Sequence, residues 1–291
     1  MINIEKLQVK YGDFTALDVR EPIVINKGDR IGIIGSNGAG KTTFIKAVLG
    51  LIKYSGKIVT ELKFSDMAVH MQENNYVASV AVKYIIEAVL DTDIRKNQKL
   101  KDLIDFFDFS KCLNKKYQQL SGGQKQRMTI ILVLMQNAPI TFFDEVTSGL
   151  DFETREALMS KIVEWYKNTD NALGIVSHYY EELQELTDKL LIIDKGQVAA
   201  FGKTTELFER FCGKVIMIID NNEKNRILTA DLPQTAAPDH LLAFPCNNTA
   251  DEINIATKLS ENDVNYKRST IDLEILFASA VKHMRNRGAS K

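Results

Sequence analysis

Long hydrophobic runs are missing from this chain of 291 residues. No apolar stretch approaches the roughly 18–20 residues that a bilayer-spanning helix needs. The longest candidate, Met128 to Met135, is too short and reads as a buried helix. The N-terminus, Met1-Ile2-Asn3-Ile4-Glu5-Lys6, has no apolar core of the kind a signal peptide carries. Cysteine is scarce: Cys112, Cys212 and Cys246 show neither metal-ligand nor paired spacing, which argues against a disulfide framework and suits a reducing compartment. An excess of either charge is missing too. A net charge of -1 gives no electrostatic case for nucleic acid as the main partner, and none is expected. There is no internal repeat and no low-complexity tract. Hydrophobic residues, by contrast, make up 45% of the chain, enough to bury a sizeable core in one large and one small domain. The expectation is a soluble cytoplasmic protein whose membrane role, if any, runs through a partner chain.

One stretch carries the first functional information. Gly35-Ser36-Asn37-Gly38-Ala39-Gly40-Lys41-Thr42-Thr43 follows the apolar run Arg30 to Ile34 and precedes a helix-like run, Phe44 to Leu51. Strand, glycine-rich loop and helix is the order a phosphate-binding P-loop needs. Glycines let the backbone curl so that successive N–H groups converge on phosphate, and the following helix adds the positive end of its dipole. Lys41 can reach the β- and γ-phosphates, and the Thr42 hydroxyl can ligate Mg²⁺. The bland alternative is a glycine turn followed by a chance lysine. The pattern and its context together predict a nucleoside triphosphate site.

Around this stretch the chain alternates strand and helix. Ile2 to Val9 alternates apolar and polar residues as a half-buried strand does, and Ala16 to Ile25 reads as a second strand-like run. Two or three β-runs before the first helix suggest an antiparallel flap beside a mainly parallel sheet. Short strands are expected at Lys57 to Thr60 and Met67 to Met71. Residues 78–136 read as helical, with Val82, Ile85, Ile86, Val89 and Leu90 at three- and four-residue spacing. Pro139 to Asp144 and Ala172 to Ser177 are buried strands, and Glu153 to Lys167 is an amphipathic helix presenting Leu158, Ile162 and Trp165. Past Arg210 the character changes. Polar clusters appear, and three of the five prolines fall between Pro233 and Pro245. Residues 211–291 therefore read as a small α+β appendage that ends in a helix from Ile271 to about Arg285.

Taken with the segment Leu120-Ser121-Gly122-Gly123-Gln124-Lys125-Gln126-Arg127, the P-loop, the Asp144-Glu145 strand end and the downstream His178 resemble the nucleotide-binding subunit of an ATP-binding cassette (ABC) transporter. The resemblance covers residues 1–210. It implies an α/β fold: a P-loop NTPase core of the ABC ATPase type with an antiparallel β flap and an inserted helical subdomain, to which the tail is added. It implies ATP and Mg²⁺ as cofactors. By the same resemblance Tyr11 stacks on adenine, the alternative being a strand-end core tyrosine, and Ser36 to Thr43 cradle the triphosphate. Gln72 touches Mg²⁺ and the attacking water. Asp144 holds Mg²⁺, a role that also suits a carboxylate closing an apolar strand, which is costly to bury unless it meets a cation. Glu145 polarises the attacking water beside Lys41, and His178 senses the γ-phosphate. Ser121, Gly122, Gly123 and Gln124 open a helix that closes over ATP held by an opposite subunit, whereas read alone they are a serine-capped helix start. Asp151 links the two sites. The implied assembly is a dimer with itself or a paralogous ATPase, docked on membrane-spanning permease subunits at the cytoplasmic face of the membrane.

The chain departs from the family in two places. The segment between the P-loop helix and Gln72 is short, and the insertion before Leu120 holds no heptad coiled coil of the length that DNA-repair relatives carry. With one cassette and no basic stripe, the competing reading, a soluble ABC ATPase acting on ribosome or DNA, is the weaker one. Ser269-Thr270-Ile271-Asp272-Leu273-Glu274-Ile275-Leu276-Phe277 resembles the terminal helix of ATPases serving ABC-2 type exporters of drugs, peptides or lipid-like compounds. Export is therefore the expected direction.

Overall fold

The computed structural model describes residues 1–71, 76–167 and 169–289. In chain order these form β1 (Ile2–Tyr11), β2 (Phe14–Val19), β3 (Ile23–Ile25), β4 (Arg30–Ile34), α1 (Lys41–Val48), β5 (Ser55–Thr60) and β6 (Met67–His70). Then follow α2 (Val82–Leu90), α3 (Gln98–Phe106), α4 (Gly122–Met135), β7 (Ile140–Asp144), α5 (Phe152–Lys167), β8 (Ala172–Val176) and α6 (Tyr180–Leu186). The remainder is β9 (Lys189–Asp194), β10 (Gln197–Lys203), α7 (Thr204–Cys212), β11 (Val215–Asp220), α8 (Glu223–Leu228), β12 (Leu241–Cys246), α9 (Thr249–Glu261), β13 (Lys267–Ser269) and α10 (Leu273–Ala289). They fall into two compact units. The first comprises Met1–Leu7, Pro22–Gly32 and Thr42–Thr187, and the second Gln8–Glu21, Ile33–Lys41 and the chain from Asp188 onward.

In the first unit β6, β7 and β8 run parallel, with His70 opposite Phe143 and Asp144 opposite Val176. Every residue of β7 and β8 is buried, as expected of strands covered on both faces. The register matters for function, because it sets Asp144 and Val176 side by side at the ends of adjacent strands. Gly174 lies opposite Phe142, and a Cβ there would meet the Phe142 ring at 2.4 Å. The antiparallel pairing expected near the N-terminus is present between β1 and β3, from Ile2↔Ile25 to Ile4↔Ile23. The helical insertion contains α2, α3 and α4. Asn97 caps α3 by accepting from the Leu100 N–H, and Asp91 in the left-handed region ends α2. Met128 to Leu134 of α4 are buried on all sides, so this apolar run is a core helix. The unit contradicts one expectation: α5 buries Leu158, Met159, Ile162 and Tyr166, not Trp165. Leu158, Ile162 and Tyr166 repeat at four-residue spacing and share a face, leaving Trp165 half-buried on the flank against Phe106.

In the second unit β9 and β10 form an antiparallel hairpin, and β10 meets β2 in parallel at Gln197↔Asp18. β11 is the centre of a separate antiparallel sheet between β12 and β13. One face of that sheet, Val215, Met217, Ile219, Phe244 and Cys246, packs on Ile255 and Leu259 of α9. The expected run Ala16 to Ile25 is two strands, because Arg20-Glu21-Pro22 interrupts it and proline has no N–H for a ladder. The polar clusters of the tail supply helix caps. Asn222 accepts from the Asn225 N–H and Asn248 from the Asp251 N–H, each at 2.9 Å, starting α8 and α9. The division expected at residue 210 falls inside α7, and α10 packs on α7, β9 and β10. Among the described residues no helix is long and apolar enough to cross a membrane.

Gly174→Ala should lower stability by about 1–3 kcal/mol in urea unfolding, since the added methyl overpacks Phe142. A variant as stable as the parent would mean that β7 and β8 are not packed as described.

Candidate active site

The nine-residue loop is shaped by close approaches of its own backbone. In the second unit, a Cβ on Gly35 would lie 2.3 Å from the Ile193 carbonyl oxygen, and one on Gly40 would lie 2.9 Å from that of Ala16. Gly38 (φ 74°) and Gly40 (φ 109°) occupy the left-handed region that favours glycine. The Ala39 N–H donates to the Ser36 carbonyl, closing a turn that leaves Ser36, Asn37 and Gly38 exposed. Lys41 is buried, and its Nζ donates to the carbonyls of Gly35 (2.7 Å) and Ser36 (3.1 Å). The ammonium is thus held inside the curl of the loop. Tyr11, at the end of β1, is 54% exposed, so it is not a core tyrosine.

In the first unit Thr42 and Thr43 begin α1, both half-buried. The Thr42 hydroxyl donates to Asp144 Oδ2 at 2.7 Å, and Asp144 is 2% exposed. The next residue, Glu145, has φ +52°, unusual for a side chain with a Cβ, and its N–H donates to the Val176 carbonyl. This backbone turns the Glu145 carboxylate to His178, whose Nε2 lies 3.0 Å from Oε1. Two consecutive carboxylates therefore meet different partners: Asp144 a helix-start hydroxyl, Glu145 an imidazole. Hard oxygen donors around a buried carboxylate suit Mg²⁺, which NTP sites bind through one or two such groups plus phosphate. Gln72 lies outside the described residues.

Ser121 caps α4 in a capping box: its hydroxyl accepts from the Gln124 N–H, and Gln124 Oε1 accepts from the Ser121 N–H. Ser121 and Gly122 are exposed. Gly123 is buried, and a Cβ there would strike Thr154 Cγ2 at 2.6 Å. Asp151 accepts from the backbone N–H and the hydroxyl of Thr154, and these bonds hold its carboxyl below the usual range. The residue expected to link two sites is here the cap of α5.

Sequence reasoning missed a buried carboxylate. Glu182 Oε2 accepts from the hydroxyls of Ser177 (2.5 Å) and Thr147 (3.2 Å), and Arg155 Nε lies 3.4 Å from Oε1. Arg155 also stacks 3.8 Å over the Tyr179 ring. Burial raises the carboxyl pKa, while the hydroxyls and Arg155 favour its charged form. Ser177 precedes His178 and Thr147 follows Glu145 by two residues, so Glu182 ties together the segments that carry the facing pair. Its place four residues after His178 was the signal available; the partners became visible only on folding. His70 was missed as well. It is fully buried beside Phe143, and desolvation pushes its imidazole down to about 4, so it is neutral at pH 7. Glu182→Gln should lower kcat by on the order of 10-fold and change KM much less, since the shift falls on the Glu145–His178 geometry. Steady-state kinetics check this; an unchanged kcat would make the cluster packing alone.

A model of the family described as ABC transporter matches residues 23–148. The methionine import ATP-binding protein MetN of Clostridium tetani (strain Massachusetts / E88) is 30% identical over 244 residues, covering 77% of this chain and 76% of the relative. The probable sulfate/thiosulfate import ATP-binding protein CysA of Chlorella vulgaris is 27% identical over 219 residues, covering 71% of this chain and 92% of the relative. Among solved structures, an ATP-binding subunit of an ABC transporter matches with a TM-score of 0.64 at 21% identity, over 73% of this chain and 94% of that one. A dimeric post-hydrolysis ATP-binding cassette bound to ADP and Pi matches with a TM-score of 0.60, also at 21% identity, over 70% of this chain and 98% of that one. The structural likenesses establish the ABC ATPase fold, and the sequence relatives establish the lineage. This chain belongs to the ABC transporter family, as an ATP-binding, ATP-hydrolysing cassette.

Proposed function

We propose that the chain is a motor subunit that closes with a second ATPase subunit around two ATP molecules and drives separate membrane-spanning subunits. The observation that carries this reading is the division of labour at the end of β7. Asp144 is bonded to Thr42 beside the P-loop, and Glu145 faces His178. Phosphoryl transfer to water asks mainly for positioning and charge neutralisation. In this reading Ser36 to Thr43 hold the triphosphate, and Lys41 meets its charge. Tyr11 stacks on the base. Thr42, Asp144 and Gln72 would hold Mg²⁺, which when bound neutralises phosphate charge. Glu145 orients the attacking water and takes up its proton, and His178 keeps that carboxylate aimed.

Ser121 to Gln124, at the exposed N-terminus of α4, complete the site of the opposite subunit, and Asp151 lies at the junction. The dimeric cassette bound to ADP and Pi supports that arrangement by analogy of fold. Residues 1–210 carry this machinery, and 211–291 are an accessory α+β element. The work named for the relatives, sulfate/thiosulfate and methionine import, supports a permease as partner at the cytoplasmic membrane face. For direction, the helix start Leu273-Glu274-Ile275-Leu276-Phe277 supports ABC-2 type export, while the names of those relatives favour import. The identity of the permease decides between them.

Glu145→Gln should keep ATP binding but turn over at least about 100-fold more slowly, the scale of one positioned catalytic group. It should also accumulate as an ATP-bound dimer by light scattering. A variant that stays monomeric at saturating ATP would contradict the two-half-site reading.

A further inference from the structure

The tail ends on the P-loop's support. The loop rests on the β9–β10 turn: the Gly196 N–H donates to the Ala39 carbonyl at 2.9 Å, and the Ile193 carbonyl lies against Gly35 so closely that a Cβ could not fit. The Gly196 carbonyl in turn accepts from the Asp18 N–H. Lys195 (φ 46°) and Gly196 (φ 77°) make this turn with two successive left-handed residues. Beside them Asp194 is 3% exposed, and its Oδ2 accepts from Arg285 Nε (3.1 Å) and Nη2 (2.7 Å) of α10. A carboxylate buried to that degree needs a partner, and Arg285 supplies a charged one. The helix that carries Arg285 is seated through Leu273, Ile275, Leu276, Ala280 and Val281, all buried.

We propose that Arg285 is a positioning residue for nucleotide binding: it fixes the β9–β10 turn, which fixes the curl of the P-loop. The accessory tail thereby sets the affinity of the cassette for ATP, although it contributes no residue to the phosphate site. Anything that lifts α10 frees the turn and weakens nucleotide binding, so the tail is a place where a partner can tune the motor. The contact sequence is continuous from α10 through Asp194 and Gly196 to Ala39.

The test uses the full chain carrying Arg285→Ala, with Arg285→Lys as the conservative variant. Arg285→Ala should raise the ATP Kd and KM about 3- to 10-fold while kcat at saturating ATP changes less than about 2-fold. Hydrogen exchange should quicken at residues 193–196 and 35–40 and stay unchanged in β7 and β8. Arg285→Lys should restore much of the affinity, because it returns a cation to Asp194. If Arg285→Ala does not yield folded protein, Arg285→Gln is read out in the same way. A lowered Tm with parental Kd and parental exchange across the P-loop would overturn the proposal, leaving Arg285 as a clasp for the tail alone. A raised Kd with unchanged exchange at 193–196 would also overturn it, since the route through the turn would be wrong.

Discussion

A carboxylate ending a wholly apolar strand is expensive to bury unless its charge is met, and Asp144 is in that position. The Thr42 hydroxyl meets one of its oxygens, which fixes the start of α1 relative to the end of β7. Much of the first unit follows from holding that end still. β7 is enclosed by parallel neighbours and filled with Ile140, Phe142 and Phe143, so its terminus cannot drift. The register that places Asp144 opposite Val176 also brings Ser177 and His178 to the same edge. Glu145 leaves the strand through a left-handed residue, and that backbone strain aims its carboxylate at the imidazole. Glu182, buried behind both segments, holds the hydroxyls on either side of the pair.

The P-loop obeys a different constraint, one of space. Its glycines are required where the backbone passes another backbone, at Gly35 against Ile193 and at Gly40 against Ala16. The lysine then folds into the curl and meets the loop carbonyls. On the proposed reading, affinity for the triphosphate depends on how firmly those neighbouring strands are held, which makes the surroundings of the loop as consequential as its own residues. The tail enters the physics of the site at this point.

The parts of the molecule legible in the sequence are those where one residue type has few physical alternatives. Gly35 to Thr43 had a pattern and a context, and Asp144-Glu145 stood at the end of an apolar run, so both were found by inspection. The Ser121 cap of α4 was visible for the same reason. Features that depend on pairing across long separations were not legible. Glu182 reads as an ordinary helix glutamate until Thr147 and Ser177 arrive beside it, and Arg285 reads as a terminal basic residue until Asp194 does. The helices α8 and α9 were not legible, because asparagine serves equally in loops and as helix caps. Asn222 and Asn248 are caps, and two helices follow them. Trp165 was expected on the apolar face of α5 with Leu158 and Ile162, whereas the four-residue repeat of Leu158, Ile162 and Tyr166 buries the tyrosine.

The central claim is that this cassette works on a separate membrane protein. The most direct measurement is to recover tagged Glu145→Gln protein from native membranes in mild detergent with ATP and Mg²⁺, and to identify what accompanies it by mass spectrometry. The account predicts a stoichiometric protein with several membrane-spanning helices, whose type also fixes the direction of transport. Recovery of ribosomal or nucleic-acid partners alone, with no membrane protein, would contradict it.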